Sequence, residues 1–335
     1  MDYLHELTSC ELCEHRCKVD RLAGEKGVCR VLIPEVASRT LHPAPPESYT
    51  IFMSGCNFKC LNCQNWSISQ YPDNGMRIDG YVAPERLAAE AIRMIRSLAG
   101  KAMGADRIFF SGGESTIHLP YIEKVVAEAR KLDPSCKVNF DTNGFMTEAS
   151  LERVLDLTTS ITFDIKAYYD ETHRALTGSP VDPVLRNAET VARRAPEKLW
   201  EYRILVIPGV NEEDIEFLCR FLANISENLP VCFLAFRPNY ILDDHPGASR
   251  TLMMRCIELA SKARLRNATW SGVTDLPGRI RSVGGTPESS YNRAGARVAA
   301  AYAQEQRCET HPRNCSSCPT NDNCTLKRYI PRTCY

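Results

Sequence analysis

Three cysteines carry the strongest chemical signal in this 335-residue chain. Cys56, Cys60 and Cys63 follow one another with the spacing Cys-x3-Cys-x2-Cys. Three thiolates on one short loop can hold three irons of a 4Fe-4S cubane and leave the fourth iron open to another ligand. A pure electron-transfer cluster calls on four cysteines, and a structural zinc site calls on a closed shell of four ligands. The triplet therefore points to a cluster that binds a reactant. The alternative is three ligands of a structural metal whose fourth comes from elsewhere in the chain.

The chain has 16 cysteines in all, and most of the others are clustered. Cys10, Cys13, Cys17 and Cys29 offer four thiolates near the N-terminus, enough for a closed tetrahedral shell of zinc or iron. A second redox cluster and no metal at all are the competing readings. Gly24 and Gly27 let that loop turn back, and His15 is expected to be exposed. Cys308, Cys315, Cys318, Cys324 and Cys334 crowd the C-terminal tail, a candidate third site. A tail of that length cannot bury enough apolar surface to hold itself, so chelation is a reasonable device there. Cys136, Cys219, Cys232 and Cys256 are scattered in apolar settings and read as small core residues.

The elements that must position these groups alternate along the chain. Short apolar runs at 50–53, 107–111, 137–141, 160–164, 200–206 and 231–236 read as strands. Amphipathic stretches at 84–98, 119–132, 147–157, 183–194, 212–225 and 248–263 read as helices. Pro84 suits a first helical turn, where its missing N–H costs nothing. Strand then helix, repeated, predicts an α/β protein with a parallel sheet and right-handed crossovers. Ligands bind such sheets at the C-terminal strand ends. The motifs fall there: Ser111-Gly112-Gly113-Glu114, Asp141-Thr142-Asn143-Gly144 and Asp164-Ile165-Lys166, with Arg203 in the fifth strand and Arg237 at the end of the sixth. Glycines allow close backbone approach, and carboxylates can accept from an ammonium.

From Tyr49 to Phe236 this set resembles the radical S-adenosylmethionine (SAM) superfamily, and within it the pyruvate formate-lyase activating enzyme branch. The resemblance implies a partial (β/α)6 barrel and a 4Fe-4S cluster on Cys56, Cys60 and Cys63. The open iron would bind the amino and carboxylate groups of SAM, which is then cleaved reductively to methionine and a 5′-deoxyadenosyl radical. Gly112, Gly113 and Glu114 would face the methionine ammonium. Asp141, Thr142, Asp164 and the backbone of Thr162 would hold a monovalent cation, with Lys166 and Arg203 near the SAM carboxylate. Asn143 and Arg237 complete the expected SAM-facing set. One position departs: Asn62 stands where the superfamily carries an aromatic residue near the adenine. The N-terminal cysteines resemble an extension found on activating-enzyme-like relatives. Cys315, Cys318 and Cys324 partly match the auxiliary-cluster spacing of peptide-modifying members.

The expected organisation is a Cys-rich metal-binding extension over 1–48, the barrel over 49–240, an α/β region over 241–306 for cobalamin or substrate, and a Cys-rich tail over 307–335. Forty-one basic residues balance 41 acidic ones, which argues against a general nucleic-acid binder or a membrane-surface protein. No basic-then-apolar leader opens the chain, so a cytoplasmic location is expected, where thiols stay reduced. The Cys-rich ends resemble those of small methanogen enzymes that C-methylate methyl-coenzyme M reductase. That resemblance implies a protein substrate, cobalamin as methyl carrier, and an electron donor such as ferredoxin or flavodoxin. Glycyl-radical enzyme activation is the alternative, and a non-catalytic metal-binding scaffold the remote one.

Overall fold

The alternation of strand and helix is what the chain builds, with additions to it. The computed structural model describes residues 2–72, 77–243 and 245–276. The tail cysteines, and most of the expected 241–306 region, lie outside the described residues. The chain forms two compact units.

The first unit comprises Met1–Asn57, Ser67–Phe163 and Ala195–Trp200. Strand β1 (Val36–His42) runs antiparallel to β2 (Ser48–Met53). After β2 comes a single helical turn, α1 (Trp66–Ser69), then α2 (Pro84–Arg96) and α3 (Leu98–Met103). Strand β3 (Arg107–Gly112), helix α4 (Leu119–Leu132), strand β4 (Lys137–Thr142), helix α5 (Glu148–Leu157) and strand β5 (Ser160–Asp164) follow. Strands β2 to β5 pair side by side in parallel, so their C-terminal ends share one edge. Phe110 and Phe140 sit in register on neighbouring strands, both fully buried. Each ring contributes about 1.5–3 kcal/mol by leaving water.

Helix α2 buries Leu87, Ala88, Ala91 and Ile92 at helical spacing and turns Arg93 and Arg96 outward. It stops earlier than the pattern suggests. Ser97 Oγ donates to Met94 O at 2.7 Å and accepts from Gly100 N at 3.0 Å, so one serine ends α2 and starts α3.

The second unit comprises Phe58–Trp66, Asp164–Arg194 and the chain from residue 201 onward. It holds α6 (Asp170–Thr177), α7 (Asp182–Arg194), β6 (Leu199–Val206, from Glu201), α8 (Asp214–Ile225), β7 (Pro230–Ala235), α9 (Arg250–Lys262) and β8 (Asn267–Ser271). Strands β6, β7 and β8 are parallel. Ile215, Leu218 and Leu222 on α8 and Met253 and Ala260 on α9 are buried, as are Cys219 and Cys256. Cys136 and Cys232 are buried too, so the four scattered cysteines are core residues as expected.

Strand β1 lies inside the 1–48 segment yet pairs with β2, which joins that segment to the first unit. Past residue 240 the repeat continues through α9 and β8, adding a parallel strand beyond the six expected. Helices α1, α3 and α6 are further additions. Among the described residues no helix is long and apolar enough to cross a membrane.

Candidate active site

In the first unit, the parallel register places Met53, the last residue of β2, opposite Gly112, the last of β3. The chain leaves β2 through Ser54 and Gly55 to reach Cys56, and leaves β3 through Gly113 to Glu114. These two exits lie backbone against backbone. Gly113 N donates to Met53 O, and Glu114 N to Gly55 O, both at 3.0 Å. A Cβ at position 112, where φ is +121°, would meet Met53 O at 2.2 Å, and one at 113 would meet Gly55 O at 1.8 Å. The glycine pair is therefore required by the cysteine loop itself.

Glu114 is 2 % exposed, and both its oxygens accept from the chain. Oε1 receives Thr116 N at 3.0 Å and the hydroxyls of Thr116 and Thr142 at 2.5 and 2.8 Å. Oε2 receives Asn143 N at 2.8 Å. Burial pushes its carboxyl pKa up while these donors pull it down. Glu114 thus ties the end of β3 to the end of β4. Asp141 accepts from Ser111 Oγ at 2.7 Å across the same pair of strands. Asn143 completes the junction: its Nδ2 donates to Asn57 Oδ1 at 2.8 Å and lies 3.8 Å from Cys56 Sγ. Gly144, with φ +73°, packs against the Phe163 ring.

Cys56 is buried, and Cys60 and Cys63 are half-buried. In the second unit the loop around the latter two is held by its backbone. Lys59 N donates to Thr177 O at 2.9 Å and Leu61 N to Leu176 O at 3.1 Å, at the end of α6. Ile241 N donates to Leu61 O at 3.1 Å, and Asn239 Nδ2 to Asn62 O at 3.4 Å. Phe58 sets its ring edge to His173 at 5.3 Å, and Trp66 stacks on Tyr240 at 5.5 Å. Asp164 and Lys166 form an ion pair at 3.2 Å, and Arg203 pairs with Glu201 at 2.6 Å. Arg203 O takes Ile165 N at 2.9 Å, while Asn211 Nδ2 holds Lys166 O and Leu205 O at 2.9 and 2.7 Å. Arg237 lies just past β7, exposed, and lines a cavity of about 360 Å³ with Gln64, Pro238, Asn239 and Leu276.

The donor chemistry fits an iron–sulfur cluster: three soft thiolates on one backbone-pinned loop, with glycines rather than side chains where the neighbouring exit crosses it. An amide N–H aimed at Cys56 is the kind of outer contact that tunes such a cluster. Among the described residues, no group of three or more His, Cys, Asp or Glu side chains is already gathered as a cage for a single metal ion.

The N-terminal cysteines do stand near one another. Burial pushes the Cys13 thiol pKa well above its ordinary value, and Cys29, Cys17 and Cys10 push it further. Burial raises Cys17 too, with Cys29 and Cys10 adding to the effect. His15 corrects its expectation: it is only half-exposed, its Nε2 lies 2.9 Å from Asn57 O, and its ring rests on Phe145 at 4.9 Å. Asn57 is a site residue that no sequence motif singles out; its place beside Cys56 is the available signal.

The sequence profile of the Radical SAM superfamily matches residues 50–222, more than half of the chain. An uncharacterized protein of Methanocaldococcus jannaschii is 28% identical over 271 residues, covering 77% of this chain and 75% of its own. The pyruvate formate-lyase-activating enzyme of Staphylococcus aureus is 28% identical over 178 residues, covering 50% of this chain and 65% of its own. Among solved structures, a domain of a pyruvate-formate lyase-activating enzyme from Bacteroides vulgatus aligns with TM-score 0.42 and 20% identity, covering 50% of this chain and all of its own. Streptococcus suis SuiB bound to its precursor peptide SuiA aligns with TM-score 0.45 and 16% identity, covering 65% of this chain and 46% of its own.

Proposed function

The chain belongs to the radical SAM superfamily, and we propose on that footing that it abstracts a hydrogen atom from an unreactive carbon of a protein residue. The observation that carries this reading is the Cys-x3-Cys-x2-Cys loop leaving β2 with Gly112 and Gly113 packed on its backbone. Cys56, Cys60 and Cys63 would hold a 4Fe-4S cluster, which would supply the electron for reductive cleavage of SAM.

The chain's own groups then bind and orient. SAM carries a sulfonium, an ammonium and a carboxylate, so both signs of charge are needed. Lys166 and Arg203 serve the carboxylate. Asp141 and Thr142 offer oxygens to a monovalent cation. Arg237 and Asn239 line the cavity where a substrate chain can reach. Glu114 acts by holding Asn143 and Thr142 in place.

For the outcome of that abstraction we propose C-methylation of a protein residue, with cobalamin as methyl carrier and methyl-coenzyme M reductase as the substrate. The reading rests on the Cys-rich ends, and it takes a ferredoxin or flavodoxin as electron donor. Glycyl-radical enzyme activation is the second reading, favoured by the similarity to the Staphylococcus aureus activating enzyme. Anaerobic reconstitution followed by hydroxocobalamin and desalting separates them. Retained corrin bands, with a gain of one methyl group on the target peptide, support methylation. A protein that keeps no corrin but raises a glycyl-radical signal in a partner enzyme is an activase.

A further inference from the structure

Asn57 directly follows the first cysteine of the cluster loop and is 1 % exposed. Its side chain is held by the chain that leaves β4. Asn143 Nδ2 donates to Asn57 Oδ1 at 2.8 Å, and Asn57 Nδ2 donates to Phe145 O at 3.4 Å. Its backbone carbonyl is held by the N-terminal segment, where His15 Nε2 lies 2.9 Å away. A carbonyl oxygen only accepts, so Nε2 carries the proton and donates. Among the described residues, His15 is the one donor to Asn57 O.

The placement of the imidazole is itself built. Leu12 to His15 run beside Phe145 to Thr147 as a short antiparallel ribbon. Cys13 bridges Met146, Glu14 N donates to Phe145 O, and Thr147 N donates to Leu12 O, the last two at 3.3 Å. The His15 ring then rests on Phe145 at 4.9 Å. One stretch, Asn143 to Thr147, therefore grips the Asn57 side chain and also carries the ribbon that presents His15 to the Asn57 carbonyl. All of these residues lie in the first unit.

We propose that His15 is a positioning residue for the cluster loop: its Nε2–H fixes the Asn57 carbonyl and so keeps the Asn143 amide beside the Cys56 sulfur, 3.8 Å away. Deleting the donor leaves a buried carbonyl unpaired, and the peptide turns to find another partner. The Asn57–Asn143 contact loosens with it. The Cys56 sulfur then loses an N–H that favours a reduced, more negative cluster. The inference rests on the reading of Cys56 as a cluster ligand, and half of its test does not need the cluster.

Two variants of the full chain separate the donor from the ring. His15→Phe keeps a ring on Phe145 and deletes the N–H; His15→Gln keeps an N–H donor and deletes the ring. In the apo chain, hydrogen exchange of the peptic fragment spanning Cys56 to Leu61 should quicken about fivefold or more in His15→Phe and stay near parental in His15→Gln. After anaerobic reconstitution, the reduction potential should become more negative in His15→Phe, with altered g-values in electron paramagnetic resonance, and return toward the parent in His15→Gln. Should His15→Phe not fold, His15→Leu replaces it. Parental exchange and potential in the folded donorless variant overturn the proposal. So does the reverse pattern, with His15→Gln altered and His15→Phe parental, which would assign the effect to ring packing. If exchange responds as expected and the parent assembles no cluster, the reading of the triplet fails and the hold on Asn57 stands.

Discussion

Position 113 faces the Gly55 carbonyl oxygen so closely that an added Cβ would lie 1.8 Å from it. Both partners are backbone, so neither can swing aside. Gly113→Ala must push the exit of β3 away from the loop that carries Cys56. The expected cost is about 1–3 kcal/mol of stability, with reduced iron retention after reconstitution. Denaturant unfolding and iron analysis check this. A variant of parental stability and iron content would show that the two exits are not coupled.

Asn143 links the end of β4 to the cluster loop through Asn57 at 2.8 Å and Cys56 Sγ at 3.8 Å. Asn143→Leu keeps the branched shape and deletes the donors. Stability should fall by about 1–3 kcal/mol. The cluster should become harder to reduce, because an N–H near a cluster sulfur favours the more negative, reduced state. A redox titration followed by electron paramagnetic resonance reads the shift, and an unchanged potential contradicts it.

His173 is fully buried, its Nδ1 lies 2.7 Å from Ser179 O, and its Nε2 is without a partner. Burial lowers its pKa from 6.5 to about 4. Between those values the unfolded chain binds a proton that the folded chain refuses. Stability contributed by neutral His173 is therefore complete above pH 6.5 and lost as pH falls toward about 4, by up to roughly 3 kcal/mol. His118, pushed down to about 3 by burial and by Arg21, acts in the same direction. In denaturation series over that window, His173→Asn should flatten the slope. An identical slope in parent and variant rules His173 out.

Ser97 offers a control away from the site. Ser97→Ala removes the hydroxyl that caps both α2 and α3, at a cost of about 1 kcal/mol. The rate of SAM cleavage by the folded variant should equal that of the parent. A slowed rate would mean that the α2–α3 junction reaches the site.

Much of this site is legible in the sequence because its signals are local. Cys56, Cys60 and Cys63 lie within eight consecutive residues, and the Gly-Gly-Glu and Asp-Thr-Asn runs close apolar strands whose period is easily read. What escapes depends on partners distant in sequence. Strand β1 mixes buried Val36 and Ala37 with exposed Ser38, and its antiparallel place is set by β2 rather than by its own pattern. Strand β8 has no fully buried residue, so Asn267–Ser271 shows no apolar run. Two partners of Glu114, Thr142 and Asn143, come from the end of β4 and the residue after it, about 30 residues on, and no spacing rule announces them.

The most direct measurement is 5′-deoxyadenosine formation by the anaerobically reconstituted chain with SAM and dithionite, parent against Cys60→Ala. The parent is expected to release 5′-deoxyadenosine and methionine, and the variant none above background. Release by Cys60→Ala at the parental rate would contradict the assignment of the triplet as the cluster that cleaves SAM.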